Sequence, residues 1–343
     1  MFLGDYFHNI KNNHKKFFFS DISFNSNQIK KDNIFFAIKG NKFDGNKFIP
    51  AAIKNGSNII VSEKKFKKFP KKILFLRTKN IRKLLSKISF KINNKIPKNL
   101  IAVTGTNGKS SIADFYYQIL ILNQKRVASI GTLGVKSKNF KFKLFNTTTD
   151  PIQLSHILKK LKEKKIDNVI MEASSHGLKQ NRLDGLEFRI GIFTNLSQDH
   201  LDYHKNLKSY FKAKLYLFEN LIKKRGNIIT DKNIPQFKTL RKIASKNNLS
   251  LNTLDDKKND FKLLSHSFEG DVQKLKVKYK NSIKYINLNL IGKIQLKNVL
   301  MAIIAAKKSN LDISNILAVI PKINSVEGRF EKIGKIKNQS KVI

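Results

Sequence analysis

From Leu100 onward, short apolar runs alternate with stretches whose apolar residues recur every three or four positions. Leu100-Ile101-Ala102-Val103, Asn168-Val169-Ile170-Met171 and Arg189-Ile190-Gly191-Ile192-Phe193-Thr194 predict strands. Near-continuous apolar runs of this length fit strands buried on both faces. Between the first two, Lys109–Leu122 sets Ile112, Phe115, Tyr116, Ile119 and Leu120 at helical spacing. Strands alternating with helices predict an α/β chain with a mostly parallel sheet.

Before Leu100 the rhythm is shorter. Asn33–Ile38, Ser57–Val61 and Ile73–Leu76 read as strands, Phe48–Asn55 as a short helix, and Gly40–Gly45 as a turn-rich loop. These predict a small N-terminal α/β domain over residues 1–96, with a linker near Pro97, and a central domain over 97–331. Late in the chain, Phe268–Leu290 predicts a β hairpin turning near Lys280-Asn281-Ser282, and Ile294–Lys307 and Ile313–Ile320 predict helices. The longest strongly apolar run, Val299–Ala306, is too short to cross a bilayer. The N-terminus carries no basic segment followed by an apolar run, so a cytoplasmic protein without membrane insertion is expected.

The chain has 343 residues, of which 41% are apolar, enough to bury a core. It has no cysteine, which excludes disulfides and thiolate metal sites. The formal net charge is +44. Its lysines are spread along the chain, as in Lys159-Lys160-Leu161-Lys162-Glu163-Lys164-Lys165, and do not form one stripe interleaved with aromatics. That reads as solvated lysine-rich faces that attract anionic ligands, with no nucleic-acid partner.

The strongest chemical signal is Thr104-Gly105-Thr106-Asn107-Gly108-Lys109-Ser110-Ser111, between a predicted strand and a predicted helix. Glycines let the backbone turn tightly and aim several N–H groups at one anion. The helix N-terminus adds partial positive charge. Lys109 can neutralise β/γ-phosphates and the Ser110 hydroxyl can hold Mg²⁺, so the loop from Gly105 to Ser111 is expected to bind ATP. Val103 stands where the common phosphate-loop pattern has its first glycine.

Glu172 follows directly on one predicted strand, and Asp199-His200 come soon after another. Ligands of parallel sheets bind beyond the C-terminal ends of the strands, so an acid and an imidazole there could share a Mg²⁺. In the predicted helix Tyr210–Phe218, Lys212 and Lys214 point to different sides, and spacing leaves open which faces the site. Burial would lower the pKa of that lysine and make it a nucleophile.

Taken together, several stretches resemble the Mur ligase family of peptidoglycan synthesis, in its tripeptide-synthetase branch. They are Asp32–Gly40 with Asp44-Gly45, the phosphate loop, Ile130–Gly134, Asn146–Pro151, Met171–Arg182, Asn195–His204, Ala213-Lys214 and Gly328–Glu331. Their order and spacing agree over essentially the whole chain.

The resemblance implies an ATP-dependent amide ligase that adds a diamino acid to UDP-N-acetylmuramoyl-L-alanyl-D-glutamate. It implies that Gly105, Thr106, Asn107, Gly108, Lys109, Ser110, Ser111, Asn298 and Arg329 bind ATP. Ser110, Glu172, His200 and Lys214 would surround Mg²⁺, with Lys214 carbamylated by CO₂ to N6-carboxylysine. Lys109, Glu172, His200 and Lys214 would form the catalytic set. Asn146, Thr147, Thr148, Ser174, Gln180 and Arg182 would bind the muramoyl-dipeptide, and Phe24, Ser26, Asn41, Lys42 and Phe43 the uridine end. A monomer is expected.

Two departures stand out: the phosphate loop ends Ser110-Ser111 where threonines are common in the family, and the uridine motif differs. The family's usual Asp-Ser-Arg near the uridine reads Asn25-Ser26-Asn27. The family's third domain, which selects the incoming amino acid, would start within residues 332–343. The rival readings are a folylpolyglutamate synthase-like ligase, a non-catalytic ATP-binding fragment and a basic nucleic-acid-binding ATPase.

Overall fold

The computed structural model describes residues 1–7, 10–40, 43–66, 70, 72–254, 261–270, 272–279, 282–329, 334–335 and 341–342. Contacts divide the chain into two compact units. The first holds Met1–Ile96, Asp150–Lys159 and Gln180–Leu186, and the second holds Pro97–Thr149, Lys160–Lys179 and Glu187–Ile343.

In the first unit, β1 (Ile22–Ser23), β2 (Ile34–Phe36), β3 (Ile59–Ser62) and β4 (Leu74–Arg77) form a four-stranded sheet in sequence order, every pair parallel. Successive side chains of a strand point to opposite faces. Accordingly Ile34, Phe36, Ile59 and Val61 pack with Ile81, Leu85 and Ile88 of the helix Ile81–Ile92. Phe35, Ala37 and Ile60 pack on the other side with Ile49 and Ala52 of the helix Ile49–Lys54. The segment Gln180–Leu186 contributes the buried Asp184, which lies 3.5 Å from Lys83 Nζ.

The second unit is built on an eight-stranded sheet. Its strands are β5 (Asn99–Thr104), β6 (Val127–Gly131), β7 (Gly134–Ser137), β8 (Lys141–Phe142), β9 (Asn168–Glu172), β10 (Phe188–Phe193), β11 (Ile222–Thr230) and β12 (Ser250–Thr253). The spatial order is β12-β11-β10-β5-β9-β6-β7-β8. Pairing is parallel from β12 to β6 and antiparallel through β7 to β8. Ile101, Val103, Ile190 and Ile192 join one core with Ile112, Phe115 and Ile119 of the helix Lys109–Leu122 and Val299, Ala302 and Ile303 of the helix Lys293–Lys308. On the opposite face, Phe193 meets Phe218 of the helix Leu207–Asn220, ring centroids 6.1 Å apart.

The expected late hairpin has a third strand. β13 (Phe261–Glu269), β14 (Val272–Tyr279) and β15 (Ser282–Leu288) form an antiparallel sheet in that order. β13 is an edge strand, mostly exposed, with a register shift between Leu263 and Ser265, so its alternation is weak in the sequence. Lys280 and Asn281 lie outside the described residues.

Candidate nucleotide and metal site

At the C-terminal ends of β5, β9 and β10 the second unit opens a cleft of about 530 Å³. Its floor is the loop between β5 and the helix Lys109–Leu122. Gly108 has φ +87°, where a side chain is strained, and a Cβ there would lie 2.7 Å from Asn298 Oδ1 and force that side chain to shift. Across the loop, Thr194 Oγ1 donates to Asn107 O at 2.6 Å, and Asn107 N–H donates to Asn195 Oδ1 at 3.0 Å. Thr106 Oγ1 accepts from Ser197 N–H at 3.0 Å and lies 3.3 Å from the Tyr210 hydroxyl. The strand end at β10 thus braces the loop.

Two lysines converge on this loop. Lys109 Nζ donates to Gly105 O at 3.0 Å and Thr106 O at 2.7 Å. Burial lowers its pKa, with Glu172 and Asp199 opposing the shift. Lys214 is 1% exposed. Its Nζ donates to Gly105 O at 2.6 Å and lies 4.2 Å from the Tyr210 ring centroid. Burial and the nearby Lys109 cation push its pKa down to about 6. Lys212, two residues earlier, is exposed, so the helix settles which of the two faces the cleft.

Glu172, the last residue of β9, is 3% exposed. Its Oε1 accepts from Ser110 Oγ at 2.9 Å and from Thr132 N–H at 2.8 Å, and its Oε2 lies 3.3 Å from Thr132 Oγ1. Its backbone carbonyl accepts from Thr148 Oγ1 at 2.9 Å, and that hydroxyl accepts from Ser174 N–H at 2.9 Å. A Cβ on Gly131 would collide with the Glu172 carboxylate, so β6 approaches it closely because that residue lacks a side chain.

His200 also lines the cleft, in the left-handed region at φ 53°, with Nε2 3.5 Å from Asp199 Oδ2. Its ring centroid is 4.8 Å from that of His176. His204 is 1% exposed, and its Nε2 is 3.0 Å from Ser175 Oγ. Its burial among Lys179, His176 and Lys214 lowers its pKa to about 4.

The donor set suits a hard divalent cation. A buried carboxylate and a serine hydroxyl 2.9 Å apart beside a phosphate loop are oxygen ligands of the kind Mg²⁺ takes. Among the described residues no three His, Cys, Asp or Glu side chains gather into a metal cluster. Lys214 as an amine donates to a carbonyl and offers no oxygen.

Thr106 to Ser111, Thr147, Glu172, Ser174, His200, Lys214, Asn298 and Arg329 all line this one cleft. Gly105 offers its carbonyl to both lysines from beneath, and Thr148 is buried behind Glu172. Asn146 is exposed.

The remaining expected substrate residues belong to the first unit. There Ser26 is buried, Phe24 is exposed and Phe43 is 71% exposed, while Asn41 and Lys42 lie outside the described residues. Arg182 Nε and Nη2 donate to Gln180 Oε1 at 3.2 and 2.9 Å.

Sequence reasoning assigned no role to Thr132, Tyr210 or Gln295, which line the cleft too. Tyr210 lies four residues before Lys214, and Gln295 three before Asn298, so helical spacing from an assigned residue finds both.

Residues 103–306 match the Mur ligase middle domain, and residues 19–89 match the Mur ligase family, catalytic domain. The chain belongs to the Mur ligase family. Members of this family are ATP-dependent ligases. A UDP-N-acetylmuramoyl-L-alanyl-D-glutamate–2,6-diaminopimelate ligase of Rickettsia montanensis is 33% identical over 331 residues, covering 95% of this chain and 68% of that protein. A solved structure of a ligase bearing the same name is 25% identical, with TM-score 0.82, covering 96% of this chain and 68% of that one. The chain therefore spans about two thirds of the length of such relatives. An FPGS–AMPPCP complex is 16% identical with TM-score 0.57, covering 74% of this chain and 70% of that one, a likeness of fold alone. Among the described residues, no helix is long and apolar enough to cross a membrane.

Proposed function

We propose that this chain supplies the nucleotide-binding and UDP-substrate-binding parts of a ligase acting on UDP-N-acetylmuramoyl-L-alanyl-D-glutamate. The ligase adds meso-2,6-diaminopimelate to the D-glutamate side-chain carboxylate, a reading supported by relatives named UDP-N-acetylmuramoyl-L-alanyl-D-glutamate–2,6-diaminopimelate ligase. L-lysine is the alternative amino acid. The observation that carries the reading is the cleft in which Lys109 and Ser110 of the phosphate loop meet Glu172 and Lys214.

In this reading the substrate carboxylate oxygen attacks the γ-phosphorus of ATP, and the bond to the β-phosphate oxygen breaks, releasing ADP and leaving an acyl phosphate. The amine of the incoming residue attacks the acyl carbon, inorganic phosphate departs, and the amine loses a proton. The loop N–H groups hold the phosphates, and Lys109 and Arg329 offset charge on the transferring group. Ser110, Glu172, His200 and a carbamylated Lys214 would hold Mg²⁺, which when bound neutralises phosphate charge so that two anions can meet. Asn298 would lie near the adenine, and Thr147, Thr148, Ser174, Gln180 and Arg182 offer groups suited to peptide and carboxylate.

The test is ADP release, measured on this chain and on one with the full length of its relatives. Release that requires both the UDP-muramoyl-dipeptide and the diamino acid supports the reading. Turnover indifferent to both overturns it.

A further inference from the structure

Arg329, an exposed cation that lines the cleft, follows the buried Ile323 and Val326 in the segment 323–329. Its Nη1 donates to Gly328 O at 2.9 Å, so this guanidinium contact lies within the segment itself. Where the segment goes, Arg329 goes. Ile323 and Val326 are buried in the core, Arg329 N–H donates to Val326 O at 2.8 Å, and two glutamines from two helices hold the segment's polar backbone. At the near end, Gln118 of the helix Lys109–Leu122 takes both backbone groups of Asn324: Nε2 donates to Asn324 O at 3.1 Å, and Oε1 accepts from Asn324 N–H at 2.9 Å. At the far end, Gln295 Nε2 donates to Arg329 O at 3.0 Å, while its Oε1 accepts from Asn298 Nδ2 at 3.0 Å.

Gln118 is itself held. Its Nε2 also donates to Asp114 Oδ2, one helical turn back, at 2.6 Å. Asp114 is 4% exposed, and its Oδ1 pairs with Lys136 Nζ of β7 at 2.6 Å. The Gln118 amide thus uses both donors and its acceptor, which fixes its orientation. This network lies two turns along the helix from Lys109, away from the phosphate loop.

We infer that Gln118 is a positioning residue: by clamping Asn324 it holds the Ile323–Arg329 segment so that Arg329 faces the phosphate loop. Nothing in the Gln118 geometry depends on nucleotide, but its consequence for binding rests on the reading of the cleft as an ATP site.

Gln118→Met keeps the side-chain volume and removes the clamp. Two measurements follow: hydrogen exchange at the amides of residues 323–327 without nucleotide, and the dissociation constant of Mg-ATP in wild type, Gln118→Met, Arg329→Ala and the double variant. The expected result is faster exchange at these amides, and ATP binding weaker by about 5-fold in Gln118→Met and about 10-fold in Arg329→Ala, with the double variant no weaker than Arg329→Ala alone. Multiplying effects, or wild-type ATP binding by Gln118→Met, overturn the inference. If wild type binds no ATP, the nucleotide reading falls, while unchanged exchange in Gln118→Met overturns the clamp separately. Should Gln118→Met fail to fold, Gln118→Glu, which keeps the acceptor and loses both donors, is measured in the same way.

Discussion

Lys214 shows how one buried position can change the chemistry of a residue type. Its amine is 1% exposed, and burial together with Lys109 holds its pKa at about 6. At neutral pH the amine is then largely unprotonated, the form that adds CO₂. Bicarbonate is expected to add the mass of CO₂ to this residue in native mass spectra. Lys214→Ala should abolish substrate-dependent ADP release, with partial rescue by a short-chain carboxylic acid, and full activity of that variant would remove the proposed role. His204 gives the pH dependence. Its pKa is about 4 when folded against 6.5 for the free side chain, so between these values the unfolded chain binds more protons. Its contribution to stability is present above pH 6.5 and is lost as pH falls towards 4. His204→Gln should therefore flatten the fall in melting temperature across that window, and an unchanged slope would count against a buried neutral imidazole.

Among the elements, the helix Lys109–Leu122 brings Lys109, Ser110 and Ser111 to the site and supplies much of the core. Its boundaries match the periodic run in the sequence, because a buried face recurring every three or four residues is a strong local signal. Phe115 is fully buried in that face, and Phe115→Ala should cost about 3–5 kcal/mol of unfolding free energy in a denaturant titration. Gly108→Ala strains the loop by about 1–2 kcal/mol through its left-handed φ and drives a methyl group against Asn298. Calorimetry should show ATP binding weakened more than 10-fold with only a small change in melting temperature. Equal affinity would mean the loop does not need its glycine. The three-stranded β13–β15 sheet was only partly legible. β14 alternates buried and exposed residues cleanly, but the exposed edge strand β13 carries a bulge that breaks the pattern.

At the scale of the whole molecule, a formal net charge of +44 spread over many lysines repels itself in the compact state. Raising salt to about 1 M, where the screening length is about 3 Å, should raise the melting temperature. In a gel shift at moderate salt, binding to nucleic acid should vanish, and a complex that survives would point to a dedicated nucleic-acid surface.

The sequence by itself determined the βα alternation, the phosphate loop and the acid at the end of β9, because local periodicity, glycine spacing and strand boundaries are written over a few residues each. It also placed Lys212 and Lys214 on one helix without saying which faces inward. The family resemblance named Lys214, and the tertiary structure supplies the physical reason, burying Lys214 against Gly105 and leaving Lys212 in solvent. Tertiary structure alone joins Ser110 to Glu172 and Gln118 to Asn324, 62 and 206 residues apart. Contacts over such separations depend on strand order and helix packing, which no short window of sequence contains.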